Sequence, residues 1–232
     1  MFMRMLSIIG DSISTYDGYN PEGYSVFYDK ELQKRNNINN VHETWWARVM
    51  LFLNARLCVN NSFSGSQVSG VRFPAASCDE RIQHLGTSRN LPDIILIYIG
   101  FNDFGNGVKI YRSGIQDIFQ KRTMFFSSAY EEMILKVRQL YPKARVICGT
   151  LMRTHILNKK SWVFPESYAG VLFEEYNAAI RNTCRKHSCD LADLDALNTT
   201  YETLDGSHPT KKGHTIIADA WEKCLADLGY VD

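Results

Sequence analysis

The sequence predicts an α/β protein, a three-layer α/β/α sandwich around a five-stranded parallel sheet. Three observations carry that prediction. Five short β-rich runs recur along the 232 residues, and amphipathic helical stripes separate them. One of the runs is apolar without interruption, as a strand covered on both faces of a parallel sheet requires. The length favours one domain over residues 1–232. A chain of this size buries about 70% of its surface, enough to hold a core without disulfides or metal.

The first strand is expected over residues 5–9 and the second over 56–60. The third covers 93–99 and contains the unbroken run Ile94-Ile95-Leu96-Ile97-Tyr98-Ile99. The fourth and fifth follow at 145–149 and 189–194. A short helical stripe, Trp45, Trp46, Val49, Met50 and Leu53, lies between the first two strands. A longer one runs from Phe126 through Ala129, Tyr130, Met133, Ile134 and Val137 to Tyr141. Two more follow, from Leu172 to Cys184 and from Ile216 to Leu228. Pro142 and Gly229 stand where helices should stop. Crossovers between parallel strands should be right-handed. Ligands of such sheets bind beyond the carboxyl ends of the strands, so chemistry is expected in the loops there.

Composition removes several function classes. Hydrophobic residues at 45% and charged residues at 22% exclude a disordered chain. Lys and Arg number 26 against 25 Asp and Glu, and the basic groups are short and scattered, which argues against a nucleic-acid partner. No run of 18 apolar residues exists to span a membrane. The apolar N-terminal run is too brief for a signal peptide. The six cysteines form neither a C-x-x-C pair nor a zinc-spaced cluster, and read as reduced thiols in apolar stretches. Together these features point to a cytoplasmic protein. Histidines 42, 84, 155, 187, 208 and 214 lack ligand-like spacing, so surface or helix-end roles are expected. Asp193 and Asp195 have the spacing of one strand face, weak evidence for Mg²⁺, and no metal is expected.

Three connections are long: 14–42, 101–122 and 153–165. The first carries Tyr16, Tyr19, Tyr24, Phe27 and Tyr28, and the third Trp162 and Phe164. These aromatics either anchor the loops or line a substrate cleft. Asp11, Tyr16, Phe101 and Trp162 are the candidate substrate contacts.

Four motifs fall at predicted strand ends. Gly10-Asp11-Ser12 ends the first strand; Gly10 permits a tight turn, and Ser12 would present a hydroxyl above the sheet edge with its own N–H free. The plain alternative is a helix N-cap. After the second strand, Asn60-Asn61-Ser62-Phe63-Ser64-Gly65 offers a glycine whose N–H can be aimed into a site. Gly100-Phe101-Asn102-Asp103 follows the third strand, and its Asn can donate an amide N–H to a developing oxyanion. Asp205-Gly206-Ser207-His208-Pro209 places a carboxylate three residues before a histidine, so that it can accept Nδ1–H and leave Nε2 as a base. Pro209 suits the first turn of the helix that follows.

A hydroxyl, an oriented base and three donors are the parts of acyl transfer. In these four blocks, which span residues 10–208 in order, the chain resembles the SGNH hydrolases, also called GDSL esterases and lipases. Ile13 stands where the family name expects Leu, and only the N-x-x-x-x-G spacing from Asn60 selects Gly65 over Gly70. The resemblance implies the SGNH, flavodoxin-like sandwich. It also implies Ser12 as nucleophile, His208 as base, Asp205 as its partner, and Ser12, Gly65 and Asn102 as oxyanion donors. The activity it implies is a serine esterase that needs no cofactor and works through an acyl-enzyme. No surface helix is strongly membrane-seeking and the loops favour aromatics over aliphatics, so short acyl groups are expected, O-acetyl on carbohydrate among them. A lysophospholipase or thioesterase is the nearest alternative. A non-catalytic flavodoxin-like module, cradling a phosphate with Ser12, Ser14 and Thr15, is the alternative from another class. The nucleophile elbow G-x-S-x-G and the phosphate-loop patterns are absent. The expected partner is a small-molecule or carbohydrate ester.

Overall fold

The computed structural model describes residues 3–112 and 121–231. Strand β1 (Arg4–Gly10) runs into a single 3-10 turn at Ser12–Ser14. After helices α1 (Lys30–Arg35) and α2 (Trp45–Phe52) come β2 (Ala55–Ser62), α3 (Asp79–Gln83), β3 (Ile94–Tyr98) and α4 (Phe101–Gly105). Next are α5 (Phe126–Leu140), β4 (Arg145–Gly149), β5 (Thr154–Ile156), β6 (Ser167–Tyr168), β7 (Val171–Leu172) and α6 (Phe173–His187). The chain closes with β8 (Asp190–Ala192), β9 (Tyr201–Thr203) and α7 (Lys211–Asp227).

The main sheet has five strands in the order β2-β1-β3-β4-β8, every pair parallel. Each expected strand is present. The order reverses at β1, so the carboxyl ends of β1 and β3 flank the crevice where such sheets bind ligands. Every residue of β3 is buried, which explains its unbroken apolar run. Helices α2 and α7 pack together on one face, and α3 and α6 pack against α5 on the other. On the first face Trp45 and Trp221 stack at 5.4 Å, with the Tyr98 ring edge-on to both. Gly149 is small because a methyl there would come within 2.5 Å of Trp221. On the second face α5 buries the predicted stripe of Phe126, Ala129, Tyr130, Met133, Ile134 and Val137.

Two further pairings were not legible in the sequence. The loop at 153–165 contains β5, which pairs in parallel with β9, and β6 and β7 form a two-residue hairpin ladder. Of the loop expected at 101–122, the first five residues are α4, while residues 113–120 lie outside the described residues. Pro209 does not open the last helix. Thr210 caps α7 by accepting the Gly213 N–H, and Pro209 bridges back to Thr203. All six cysteines are free. Among the described residues no helix is long and apolar enough to cross a membrane, and no group of His, Cys, Asp and Glu could hold a metal ion. Asp193 and Asp195 are instead both paired with Arg181, and Asp195 also with Arg153.

Candidate active site

The site begins with the turn after β1. Asp11, not Ser12, is its N-cap: Oδ1 accepts the Ile13 N–H at 3.0 Å. Asp11 is 1% exposed, so it is a buried support of the turn and not the substrate contact expected. Burial pushes its carboxyl up to about 6, against the opposing bond from Ile13. Ser12 is the first residue of the turn, so its N–H has no partner within it. The turn lies close on the sheet, since a methyl on Gly10 would come within 2.6 Å of Ser14 and Ser62. Beneath it the buried Arg81 guanidinium donates to Gly10 O at 3.1 Å and to Asn61 O at 2.6 Å, satisfying strand-end carbonyls. Burial lowers Arg81 to about 10, so it stays cationic at neutral pH.

Gly65 tips the loop after β2 with φ +80°, a conformation that favours glycine. The N–H groups on either side are engaged, Ser64 with Ser25 O and Ser66 with Phe63 O. Among the described residues no acceptor takes the Gly65 N–H. Gly70 is the poorer candidate, because its N–H is bound to Thr123 O at 2.8 Å. Asn102, in the first turn of α4, donates from Nδ2 to Ser66 O at 2.9 Å. A side-chain amide carries two hydrogens, so one remains. Next to it the buried Asp103 accepts Val68 N–H at 2.8 Å and Ser69 N–H at 3.0 Å. Burial raises Asp103 to about 6, with those two amides pulling the other way. Asn102 and Asp103 thus bind Ser66, Val68 and Ser69 of one loop and fix Gly65 relative to α4. The role of Asp103 was missed; its only signal was its place directly after Asn102.

The loop between β9 and α7 brings the remaining residues. His208 Nε2 lies 2.9 Å from Ser12 Oγ across 196 residues of sequence, and Nδ1 lies 2.7 Å from Asp205 Oδ2. Asp205 Oδ1 also accepts the backbone N–H groups of Ser207 and His208, at 2.9 and 2.8 Å. Partial burial would raise the Asp205 carboxyl, but the hydrogen bond and charge of His208 and these two amides hold it down to about 2. The loop is tied from several sides. Thr154 Oγ1 donates to Gly206 O at 2.8 Å, Tyr201 OH to Ser207 O at 2.9 Å, and Tyr28 OH to Pro209 O at 2.7 Å. Phe27 lies flat on the His208 ring, with centroids 3.4 Å apart and planes 6° from parallel. No local signal marks Phe27, because its partner is distant in sequence.

The other aromatic candidates divide. Tyr16 is only 6% exposed and packs under Tyr19, so it anchors the first long loop instead of lining a cleft. Phe101 is half-buried and packs one side against Phe104, Phe164 and Phe173. Trp162 packs on Phe164 and against the base loop, where a methyl on Gly206 would meet its ring at 3.2 Å. Beside Gly65, Phe63 packs with Tyr24 and Phe73 at 5.2–5.5 Å. His214 departs from the surface role expected for it. It is fully buried, and its Nδ1 accepts the Trp45 N–H at 3.3 Å. Burial drives it down to about 3, so it is neutral.

Fold and site together define a class, a Ser–His–Asp constellation at the switch point of a doubly wound sheet. The family model for GDSL-like lipase/acylhydrolase matches residues 4–225. The chain belongs to the GDSL-like lipase/acylhydrolase family. No curated protein matches it. Among solved structures, a GDSL-like lipase from Bacteroides ovatus ATCC 8483 aligns with TM-score 0.72 and 25% identity, over 98% of this chain and all of that one (100%). One from Bacteroides uniformis ATCC 8492 aligns with TM-score 0.68 and 27% identity, over 97% and 96% of the two chains. A family two carbohydrate esterase from Clostridium thermocellum shares the fold at 20% identity and TM-score 0.57, over 98% of this chain and 65% of that one.

Proposed function

We propose that the chain is a serine ester hydrolase in which Ser12 attacks the substrate carbonyl and His208 and Asp205 move the proton. The observation that carries this reading is the continuous chain of hydrogen bonds Ser12 Oγ–His208–Asp205. His208 Nε2 takes the Ser12 proton as the Oγ–C bond forms. Negative charge then builds on the former carbonyl oxygen, facing the N–H groups of Ser12 and Gly65 and the Asn102 amide. The C–O bond to the alcohol breaks, and the alkoxide leaves with the proton held on His208. A water molecule gives its proton to Nε2 and attacks the acyl-enzyme. Ser12 leaves with that proton and the acid is released.

The aromatic surroundings favour a short acyl group on a sugar over a long lipid chain. Phe63, two residues before Gly65, packs with Tyr24 and Phe73, and Trp162 packs against the loop of His208. A pyranose packs well on such faces. The carbohydrate esterase of similar fold is consistent with that choice. The flavodoxin-like alternative fits poorly, because Ser14 and Thr15 are fully buried and their hydroxyls bond Trp45 and Ser12 O.

The test is hydrolysis of p-nitrophenyl acetate, p-nitrophenyl octanoate and acetylated xylo-oligosaccharides by wild type, Ser12→Ala, His208→Ala and Asn102→Ala. Wild type should release acetate and prefer the acetyl ester. The Ser12 and His208 variants should retain the fold and lose nearly all of the rate, and Asn102→Ala should lose about 10²–10³ in kcat. Equal rates for wild type and folded Ser12→Ala would end this reading.

A further inference from the structure

We infer that Phe27 is a positioning residue for His208, holding the imidazole in line with Ser12 and favouring its protonated form during the reaction. The inference rests on the proposed roles of Ser12 and His208. Its basis is the face-to-face contact, with centroids 3.4 Å apart and planes 6° from parallel. Both ring nitrogens of an imidazole lie in its plane, so a partner on the face leaves Nδ1 free for Asp205 and Nε2 free for Ser12. Asp205 restrains one edge of the ring, and the face contact opposes tilting about that edge.

The electronic consequence follows from the same geometry. The face of a phenyl ring carries partial negative charge and attracts a cation more strongly than a neutral ring. The imidazole is neutral while substrate binds and becomes imidazolium as Nε2 takes the Ser12 proton. The stack therefore strengthens as the reaction proceeds, which lowers the barrier instead of tightening substrate binding.

The backbone around Phe27 is tied to both halves of the site. Its N–H donates to Thr15 Oγ1 at 2.9 Å, and that hydroxyl donates to Ser12 O at 2.9 Å. The adjoining Tyr28 packs edge-on to Phe27 at 4.9 Å and donates from its OH to Pro209 O at 2.7 Å. One dipeptide thus grips the nucleophile turn through Thr15 and the base loop through Tyr28, with the Phe27 ring on the base itself. A residue that merely covered the imidazole would need only apolar volume; this one presents a flat face at contact distance.

The experiment compares Phe27→Leu, Phe27→Met and Phe27→Tyr with wild type, measuring kcat and KM on p-nitrophenyl acetate. Folding is checked by circular dichroism, and the low-field proton NMR resonance of the His208–Asp205 hydrogen bond is followed. Leu and Met fill the volume without a π face, and each should lower kcat roughly three- to thirtyfold with KM nearly unchanged. Tyr keeps the face and should restore most of the rate. The low-field resonance should persist in Phe27→Tyr and broaden in the aliphatic variants. Wild-type kcat in Phe27→Leu, a loss confined to KM, or Phe27→Tyr as slow as Phe27→Leu would overturn the inference. So would failure of both aliphatic variants to fold, which would make Phe27 structural. Full activity in Ser12→Ala or His208→Ala instead removes the underlying reading, and is seen without any change at Phe27.

Discussion

The two halves of the site are held in opposite ways. The Ser12 turn grows directly from β1, with Gly10 pressed against Ser14 and Ser62 and Arg81 satisfying the carbonyl beneath it. The His208 loop lies outside the five-stranded sheet. Its place depends on the β5–β9 pairing and on hydroxyls from Tyr28, Thr154 and Tyr201. Ser12 is fixed by the core, whereas His208 is fixed by contacts reaching it from elsewhere in the chain. A hydroxyl needs little more than a rigid turn. An imidazole must have two edges and a face directed at once, and no short loop of its own can do that.

Breaking the electrostatics of the base loop should have the largest effect. Asp205→Asn keeps a group of the same size but offers Nδ1 no negative charge and can favour the wrong tautomer. We expect kcat to fall by about 10³–10⁴ with little change in melting temperature. A loss below tenfold would mean that the backbone and Phe27 orient His208 without the carboxylate.

The second effect tests the packing behind the base loop through pH. His214, in the first turn of α7, is held neutral by burial at about 3, well below its ordinary value. The unfolded chain therefore takes up a proton below about 6.5 that the folded chain refuses. The stability this group contributes is complete above that pH and is lost on the way down to about 3. Asp11 and Asp103 act in the opposite sense, since both are raised to about 6 and disfavour the folded state as pH rises from about 4 to 6. His214→Asn isolates the first contribution. The gap in unfolding free energy between wild type and His214→Asn should shrink by roughly 1.4 kcal/mol per pH unit below 6.5. Denaturant melts at pH 7, 6 and 5 measure it, and a constant gap would show that His214 takes up its proton over the same pH range in the folded and unfolded chains.

The smallest expected effect probes the Ser12 turn. A methyl on Gly10 would lie 2.6 Å from Ser14 and Ser62, so Gly10→Ala must displace the turn or the strand end. We expect a loss of roughly 1–3 kcal/mol in stability, accompanied by a lower kcat. Gly65→Ala sharpens the contrast, because no atom crowds that position and only its positive φ resists the change. It should move kcat more than stability. Equal stability losses at the two glycines would mean that the Ser12 turn is no more tightly held than the Gly65 loop.

Much of this was legible in the chain. The continuous apolar run at Ile94–Tyr98 and the stripe of α5 declared a parallel sheet covered by helices, because burial on both faces leaves no polar position to spare. The D-x-x-H spacing announced the Asp205–His208 pair, because two side chains three residues apart can meet within one turn. Local rules also misled. Asp11 reads as a polar residue beside Ser12 in the site, yet it is a buried cap. Tyr16 reads as a cleft aromatic, yet it packs inward. His214 reads as a surface or helix-end residue; it does stand in the first turn of α7, but it is buried against α2.

The sequence alone determined the layers, the strand ends and the residues able to do chemistry there, because periodicity and short spacings are properties of neighbouring positions. Only the tertiary structure decided which of them meet. It set Ser12 2.9 Å from His208, laid Phe27 on the imidazole and anchored the Gly65 loop on Asp103. Each of these joins segments far apart in the chain, and such contacts form only when the closed sheet and its packed helices repay the entropy of bringing them together.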